Sequence, residues 1–269
     1  MSAHYKEIMS KCIEAVKEAG EFQLKHFRTM PPGYGDAKDV REMVSFVDVE
    51  SEKILHKGLI PLVEGAGFYG EESGQSGSMD LTWVVDPLDG TTKYLSGVDH
   101  FSVSVALVEK GQPVLGVVYK PTTGDLWSCV KGEGLYFKGE KLPQVSQTLD
   151  ASQALYVTGF PYRSPDIFDN FFQCAGKVLT TGRGMRRTGS AALDVCHVAS
   201  GWMQGFWESD LQPYDIAAGM LFMLENGCLV TNEKNLPYDI FNDRMMVGAL
   251  PKVHETLLSI VSENYGELT

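Results

Sequence analysis

Apolar residues change their spacing near Asp150, and that change most restricts the folds open to this chain of 269 residues. Between Trp83 and Val130 the apolar runs are short: Trp83-Val84-Val85-Asp86, Phe101 to Val108, then VLGVVY and LWSCV. Gln112-Pro113, Pro121 to Gly124 and Lys131 to Gly134 punctuate them, which predicts an antiparallel meander with short turns. Phe101, Val103, Val105 and Leu107 alternate with Ser102, Ser104 and Ala106, the pattern of a half-buried strand. After Asp150, short strands near 155–158, 205–207 and 245–247 alternate with helices near 166–180, 191–200, 214–226 and 251–263. Ser190 is placed to cap the second of those helices, and Pro213 suits the first turn of the third.

Two amphipathic helices precede the meander. Tyr5, Ile8, Met9, Cys12, Val16 and Ala19 recur at helical spacing, predicting a helix over about 3–28 that ends before Met30-Pro31-Pro32-Gly33. A second is expected over about 47–59, and the polar stretch Ser73 to Asp80 reads as a flexible loop. Strands followed by strand–helix alternation predict an α/β sandwich of layers. With no internal repeat and no long linker, one domain is expected over 1–269. Its N-terminal α+β part covers about 1–150 and its C-terminal α/β part about 151–269.

Composition excludes several classes of function. Apolar residues make up 43% and charged residues 22%, an ordinary globular balance. The net charge of −12 argues against a nucleic-acid or anionic-membrane partner, which needs clustered Lys and Arg. It leaves open an anionic small substrate, provided that bound cations reverse the local field. The five cysteines form no metal spacing and suit a reducing compartment. The charged N-terminus lacks a signal-peptide core and the longest apolar run, Ile216 to Leu224, is too short to span a membrane. The expectation is a cytoplasmic protein.

The chemistry concentrates in Asp86-Pro87-Leu88-Asp89-Gly90-Thr91-Thr92. Two carboxylates at the end of an apolar strand lie close together if the backbone turns there, and Pro87 and Gly90 favour a turn. Close carboxylates repel unless one is protonated or a cation bridges them. Hard divalent ions take oxygen ligands, and the Leu88 carbonyl and Thr91 hydroxyl add to the supply. A helix starting after Gly90 would aim N–H groups at a phosphate. Against this stands an Asx-type turn with no function. Glu71-Glu72 alone reads as solvated surface, and Asp48 and Asp215 alone as acids complementing helix dipoles.

Taken in order, these residues resemble the inositol monophosphatase family of Mg²⁺-dependent, lithium-sensitive phosphatases, over nearly the whole chain. The matching motifs are Asp48, Glu71-Glu72, Trp83, Asp86 to Thr91, Arg186 to Asp194, Trp207-Glu208 and Tyr214-Asp215-Ile216-Ala217-Ala218. Tyr214 stands where the family usually has Trp, and Lys93-Tyr94 where many members have Asn-Phe. The resemblance implies an α-β-α-β-α sandwich, commonly a homodimer, acting on a small phosphorylated polyol. It implies two or three Mg²⁺ ions: Glu71, Asp86 and the Leu88 carbonyl for the first, and Asp86, Asp89 and Asp215 for the second, with Asp86 bridging. A third, weaker ion would lean on Glu71 and waters. Asp48 and Thr91 match the catalytic positions that polarise the attacking water, and the Gly90 and Thr91 amides match phosphate contacts. Asp89, Ser190, Ala191 and Glu208 match positions facing the alcohol half of the substrate.

The leading expectation is hydrolysis of myo-inositol 1-phosphate. Fructose 1,6-bisphosphate, 3′-phosphoadenosine 5′-phosphate and histidinol phosphate are alternatives. A non-catalytic binding module would be expected to lack one of the metal acids, and all are present. His197 is expected to be packed or partly exposed rather than a ligand, and Trp202 and Trp207 to lie in the core. Arg183, Arg186 and Arg187 read as substrate anion capture or as surface and interface ion pairing, the second being favoured.

Overall fold

The computed structural model describes residues 2–29, 36–39, 42–44 and 46–266. The proposed Met30-Pro31-Pro32-Gly33 helix stop lies outside the described residues. The chain opens with α1 (Ser2–His26), a two-stranded antiparallel ribbon of β1 (Asp36–Asp39) and β2 (Glu42–Val44), and α2 (Phe46–Leu59). An eight-stranded sheet follows: β3 (Gly67–Gly70), β4 (Gly74–Ser76), β5 (Leu81–Asp89), β6 (Ser102–Glu109), β7 (Gln112–Lys120), β8 (Asp125–Val130), β9 (Gly134–Phe137) and β10 (Glu140–Lys141). The short helix α3 (Thr91–Leu95) interrupts it between β5 and β6. Its order is β10-β9-β8-β7-β6-β5-β3-β4, antiparallel except where β3 runs parallel to β5. The meander is as the turn spacing predicts.

The second half supplies β11 (Leu155–Thr158), α4 (Phe168–Thr181), β12 (Gly184–Arg186), α5 (Ala191–Ala199), β13 (Gly205–Ser209), α6 (Pro213–Glu225), β14 (Leu229–Thr231), β15 (Met245–Ala249) and α7 (Pro251–Tyr265). Five of these form a sheet in the order β12-β11-β13-β15-β14. The layers run α1 and α2, large sheet, α5 and α6, small sheet, α4 and α7. That is the expected α-β-α-β-α sandwich.

Each layer follows from local chemistry. α1 and α2 bury Ile8, Cys12, Val16, Leu55 and Leu59 against one face of the large sheet, around Trp83, Val105 and Val117. The opposite face carries Val84, Ala106 and Val118 and joins the core built round α5 and α6. Small residues let the layers approach closely. A Cβ on Gly116 of β7 would stand 3.1 Å from the Ala218 Cα of α6, and one on Gly219 would stand 2.6 Å from Val195 of α5. Complete burial of a Leu or Phe side chain contributes about 1.5–3 kcal/mol, so these paired faces hold the layers together.

The structure departs from the sequence expectations at several points. β6 is not half-buried: Ser102, Ser104 and Ala106 are as buried as the apolar residues between them. Their face is covered by α6, and the Ser104 hydroxyl donates to the Tyr214 carbonyl at 3.3 Å. Small polar residues here make room for a helix rather than face water. The Ser73–Asp80 stretch is not wholly a loop, because Gly74–Ser76 pairs with β3 as an edge strand. Trp202 is about half exposed, against an expectation of core, and packs on Trp127, Phe137 and His197. Trp207 is fully buried, as expected. All five cysteines are free and buried.

Candidate active site

The decisive local feature is a bulge in β5. Asp86 pairs with Ser104 of β6 and Asp89 with Ser102, so β5 spends one more residue than its partner over this stretch. Along a regular strand, residues three apart point to opposite faces. One extra residue reverses that alternation and brings the two carboxylates to the same side. The expected turn is therefore a bulge inside a continuing strand. Pro87, which cannot donate to a ladder, is tolerated at such a position. The Leu88 N–H donates to Asp86 Oδ1 at 2.9 Å, and the buried Gln23 amide donates to the Pro87 carbonyl at 2.6 Å.

Immediately after the bulge, Gly90 takes a left-handed conformation (φ 94°) and starts α3. A Cβ at this position would stand 3.0 Å from the His100 carbonyl, so only glycine fits without displacing backbone. The Thr91 hydroxyl lies 2.8 Å from Asp48 Oδ1 and 3.0 Å from the Leu88 carbonyl, both as acceptors. Asp48 is almost fully buried at the start of α2 and stands behind Thr91 rather than on the cleft wall.

These elements line a cleft of about 620 Å³. Glu71, Asp86, Leu88, Asp89, Gly90, Thr91, Ser190, Ala191, Glu208 and Asp215 all face it. Each residue given a metal, catalytic or substrate role by the resemblance thus lies on the cleft or, for Asp48, one hydrogen bond from it. Asp215 also does what its bland reading requires: it accepts the Gln212 N–H at 2.7 Å, closing a capping box at the start of α6. Asp89 ties β5 to the second half of the chain. Its Oδ2 accepts from the Ser190 hydroxyl and from the Ala192 N–H at 2.9 Å, at the N-terminus of α5.

Several contributors carried no signal strong enough to be found beforehand. Glu52 accepts the N–H groups of Glu72 and Ser73 at 2.8 and 2.9 Å, fixing the turn that presents Glu71. It stands four residues after Asp48, so two acids on one buried helical face were the available clue. Gly159 leaves space for Glu208, whose Oε1 lies 1.8 Å from where a Gly159 Cβ would be. Arg187, for which surface pairing was favoured, lies on the cleft with Lys93 and Arg163.

The electrostatics show a cleft built for cations. Burial, and then the charges of Glu71, Asp89 and Asp215, push the Asp86 carboxyl well above its ordinary range, against the Leu88 N–H that favours the anion. Burial also raises Asp89, and its bonds from Ser190 and Ala192 hold that rise back. Glu208 is raised well above the usual value by burial, then by Asp194 and Asp215, with Arg187 opposing. Among the described residues no three His, Cys, Asp or Glu side chains stand close enough together, as placed, to hold a metal ion. The donor set is nevertheless all oxygen, and a divalent cation relieves the repulsion at Asp86. The residues fit such an ion.

The sequence profile of the inositol monophosphatase family matches residues 4–265. The chain belongs to that family. An inositol-1-monophosphatase of Caulobacter vibrioides is 32% identical over 249 residues, covering 91% of this chain and 97% of that protein. A Nus factor SuhB of Xylella fastidiosa is 32% identical over 260 residues, covering 94% of each. Among solved structures, the extragenic suppressor protein suhB of Bartonella henselae superposes with a TM-score of 0.87 at 31% identity, covering 96% of this chain and 99% of that one. Family membership makes the chain a phosphomonoesterase, and the family is generally metal-dependent.

Proposed function

We propose that the protein hydrolyses a sugar-alcohol monophosphate, most readily myo-inositol 1-phosphate, to the free polyol and phosphate. The observation that carries this reading is the gathering of Glu71, Asp86, Asp89 and Asp215 on one cleft that Glu208 also lines. The first four, with the Leu88 carbonyl, would hold two or three Mg²⁺ ions, with Asp86 shared between two. Bound Mg²⁺ lowers the pKa of water and offsets charge on the departing alcohol oxygen. The Thr91 oxygen accepts a hydrogen bond from the attacking water while its own proton points at Asp48 Oδ1, so a carboxylate rather than a histidine terminates the chain. Glu71 lines the cleft beside them and completes the catalytic set. The Gly90 and Thr91 amides, at the positive end of α3, hold phosphate oxygens. Asp89, Ser190, Ala191 and Glu208 orient the alcohol half.

The two parts of the chain, about 1–150 and 151–269, act as one domain, because the proposed ligands come from both. The further proposals are lithium sensitivity, a cytoplasmic location and a homodimer. Among the described residues no helix is long and apolar enough to cross a membrane. Relatives carry the name Nus factor, but the net charge of −12 weighs against direct nucleic-acid binding here. The partner is a small phosphorylated molecule.

Glu208 separates a polyol substrate from other phosphate esters. Cations bound in the cleft would keep its carboxylate ionised against the burial and neighbouring charges that raise it, so that it accepts hydrogen bonds from neighbouring hydroxyls, each charge-assisted bond being worth about 1.5–3 kcal/mol. Glu208→Gln should lower kcat/KM for myo-inositol 1-phosphate by roughly one to two powers of ten. An aryl phosphate, with no hydroxyl to offer, should be nearly indifferent. Equal losses on both substrates would move Glu208 into the metal or phosphate machinery, and no loss on either would make it a bystander.

A further inference from the structure

The acidic cleft also has a cationic corner. Lys93 lies on α3, two residues after Thr91, and Arg187 lies on the loop that leads into α5; both line the cleft. They converge over Gly189, whose backbone has φ 88°. From the point where a Gly189 Cβ would stand, Arg187 Nη1 is 2.5 Å away and Lys93 Nζ 3.3 Å. A side chain there would fill the gap between the two cations, so glycine keeps it open.

The corner is braced. The Arg187 guanidinium lies over the Phe160 ring, 5.4 Å from its centre. Thr188, the next residue, donates its hydroxyl to Asp194 Oδ1, and its oxygen lies 3.0 Å from His100 Nε2. With the Thr188 proton on Asp194, His100 Nε2 is the donor of that second bond. Burial, then Lys120, His197 and Lys93, lower the pKa of His100 to about 4, so it is neutral at pH 7. This chain pins the Arg187 loop from behind without adding charge in front of it. Asp194 feels both cations electrostatically, and Glu208 feels Arg187. Among the described residues, however, no carboxylate is within ion-pair distance of either cation.

Two cations held together at the edge of a phosphate-ester cleft, with no carboxylate paired to them, need an anion. Ammonium and guanidinium together offer more donors than a lone hydroxyl can use, and a guanidinium fork matches phosphate oxygens. We propose that Lys93 and Arg187 form a second anion subsite, which binds a phosphate borne on the alcohol half of the substrate. The proposal rests on the phosphomonoesterase reading and extends it: besides monophosphates such as myo-inositol 1-phosphate, the cleft takes a polyol or sugar ester that bears a second phosphate. The alternative is that the pair only offsets the buried Asp194 and Glu208 charges.

The test compares matched esters that differ by one phosphate: fructose 1-phosphate with fructose 1,6-bisphosphate, and myo-inositol 1-phosphate with myo-inositol 1,4-bisphosphate. The readout is the ratio of kcat/KM, bisphosphate to monophosphate, in Mg²⁺ at low ionic strength. In the unmodified protein this ratio should exceed one for at least one pair and fall as salt is added. Lys93→Asn should lower it about tenfold, with Arg187→Gln acting in the same direction, because the lost bond is charge-assisted and partly exposed. A melting curve confirms that each variant is folded. A ratio unchanged by both substitutions, or one below one for both pairs, overturns the subsite while leaving monophosphate hydrolysis standing. Absence of turnover on all four esters overturns the functional reading and the subsite with it.

Discussion

Asp86→Asn should leave the protein folded, make it more stable without metal, and lower kcat by about a thousandfold or more. The kinetic part follows from the role proposed for Asp86 as a metal ligand: the charge stabilisation that a bound metal would supply is worth several kcal/mol, and each 1.4 kcal/mol is tenfold in rate. The stability part follows from its environment. Burial and the neighbouring Glu71, Asp89 and Asp215 raise the Asp86 carboxyl well above 3.8 in the folded chain. The folded state then binds that proton more tightly than the unfolded state does. Metal-free stability should therefore fall as pH rises from about the ordinary carboxylate value through the raised one. Asparagine carries no such proton, and the slope over that window should flatten. It can still accept the Leu88 N–H through its own oxygen, so the bulge survives. Thermal melts from pH 4 to 8 in chelator, beside steady-state kinetics in Mg²⁺, check both halves. A folded variant with near-normal kcat would return Asp86 to the role of a turn cap.

Asp215→Asn discriminates differently, because here both readings are physically present. The carboxylate caps α6 through the Gln212 N–H and also lines the cleft. As a cap alone, its replacement by Asn costs about 1 kcal/mol or less, since Asn keeps an acceptor and loses only the charge at the helix N-terminus. As a ligand near the leaving oxygen, it should cost about a hundred- to thousandfold in kcat, comparable to the loss of a charge-stabilising group in other active sites. Midpoint of unfolding and kcat, measured on the same preparation, give the two effects separately. A small stability change with a large kcat loss supports the ligand role. A small loss in both leaves a helix cap.

What the sequence made legible was largely periodicity and local order. α1, α2, α4 and α7 could be placed because each buries a stripe at helical spacing, and α5 and α6, buried nearly all round between the sheets, because Ser190 and Pro213 mark where their apolar runs begin. The acids could be grouped because the motifs stand in a recognisable order. What stayed hidden depends on partners distant in the chain. The β5 bulge exists only relative to β6, so its effect on Asp86 and Asp89 is invisible until the register is known. The anchoring of Asp89 by Ser190 and Ala192 spans about a hundred residues and has no local signature. The Ser102, Ser104 and Ala106 face reads as exposed because serine ordinarily faces water, yet α6 covers it. β12 and β14 have three residues each, too few to show a period. Arg187 is exposed, as a surface cation should be, but nothing in its neighbourhood announces Phe160, whose ring lies against it at the cleft.

The central claim is that the oxygen ligands round Asp86 make phosphate-ester hydrolysis depend on a divalent cation. Release of inorganic phosphate from myo-inositol 1-phosphate, followed in one sample before chelation, after chelation and after Mg²⁺ is restored, tests it most directly. Turnover should stop in chelator, return with Mg²⁺, and decline when lithium is added at the same Mg²⁺ concentration. Full turnover in metal-free buffer would contradict the account.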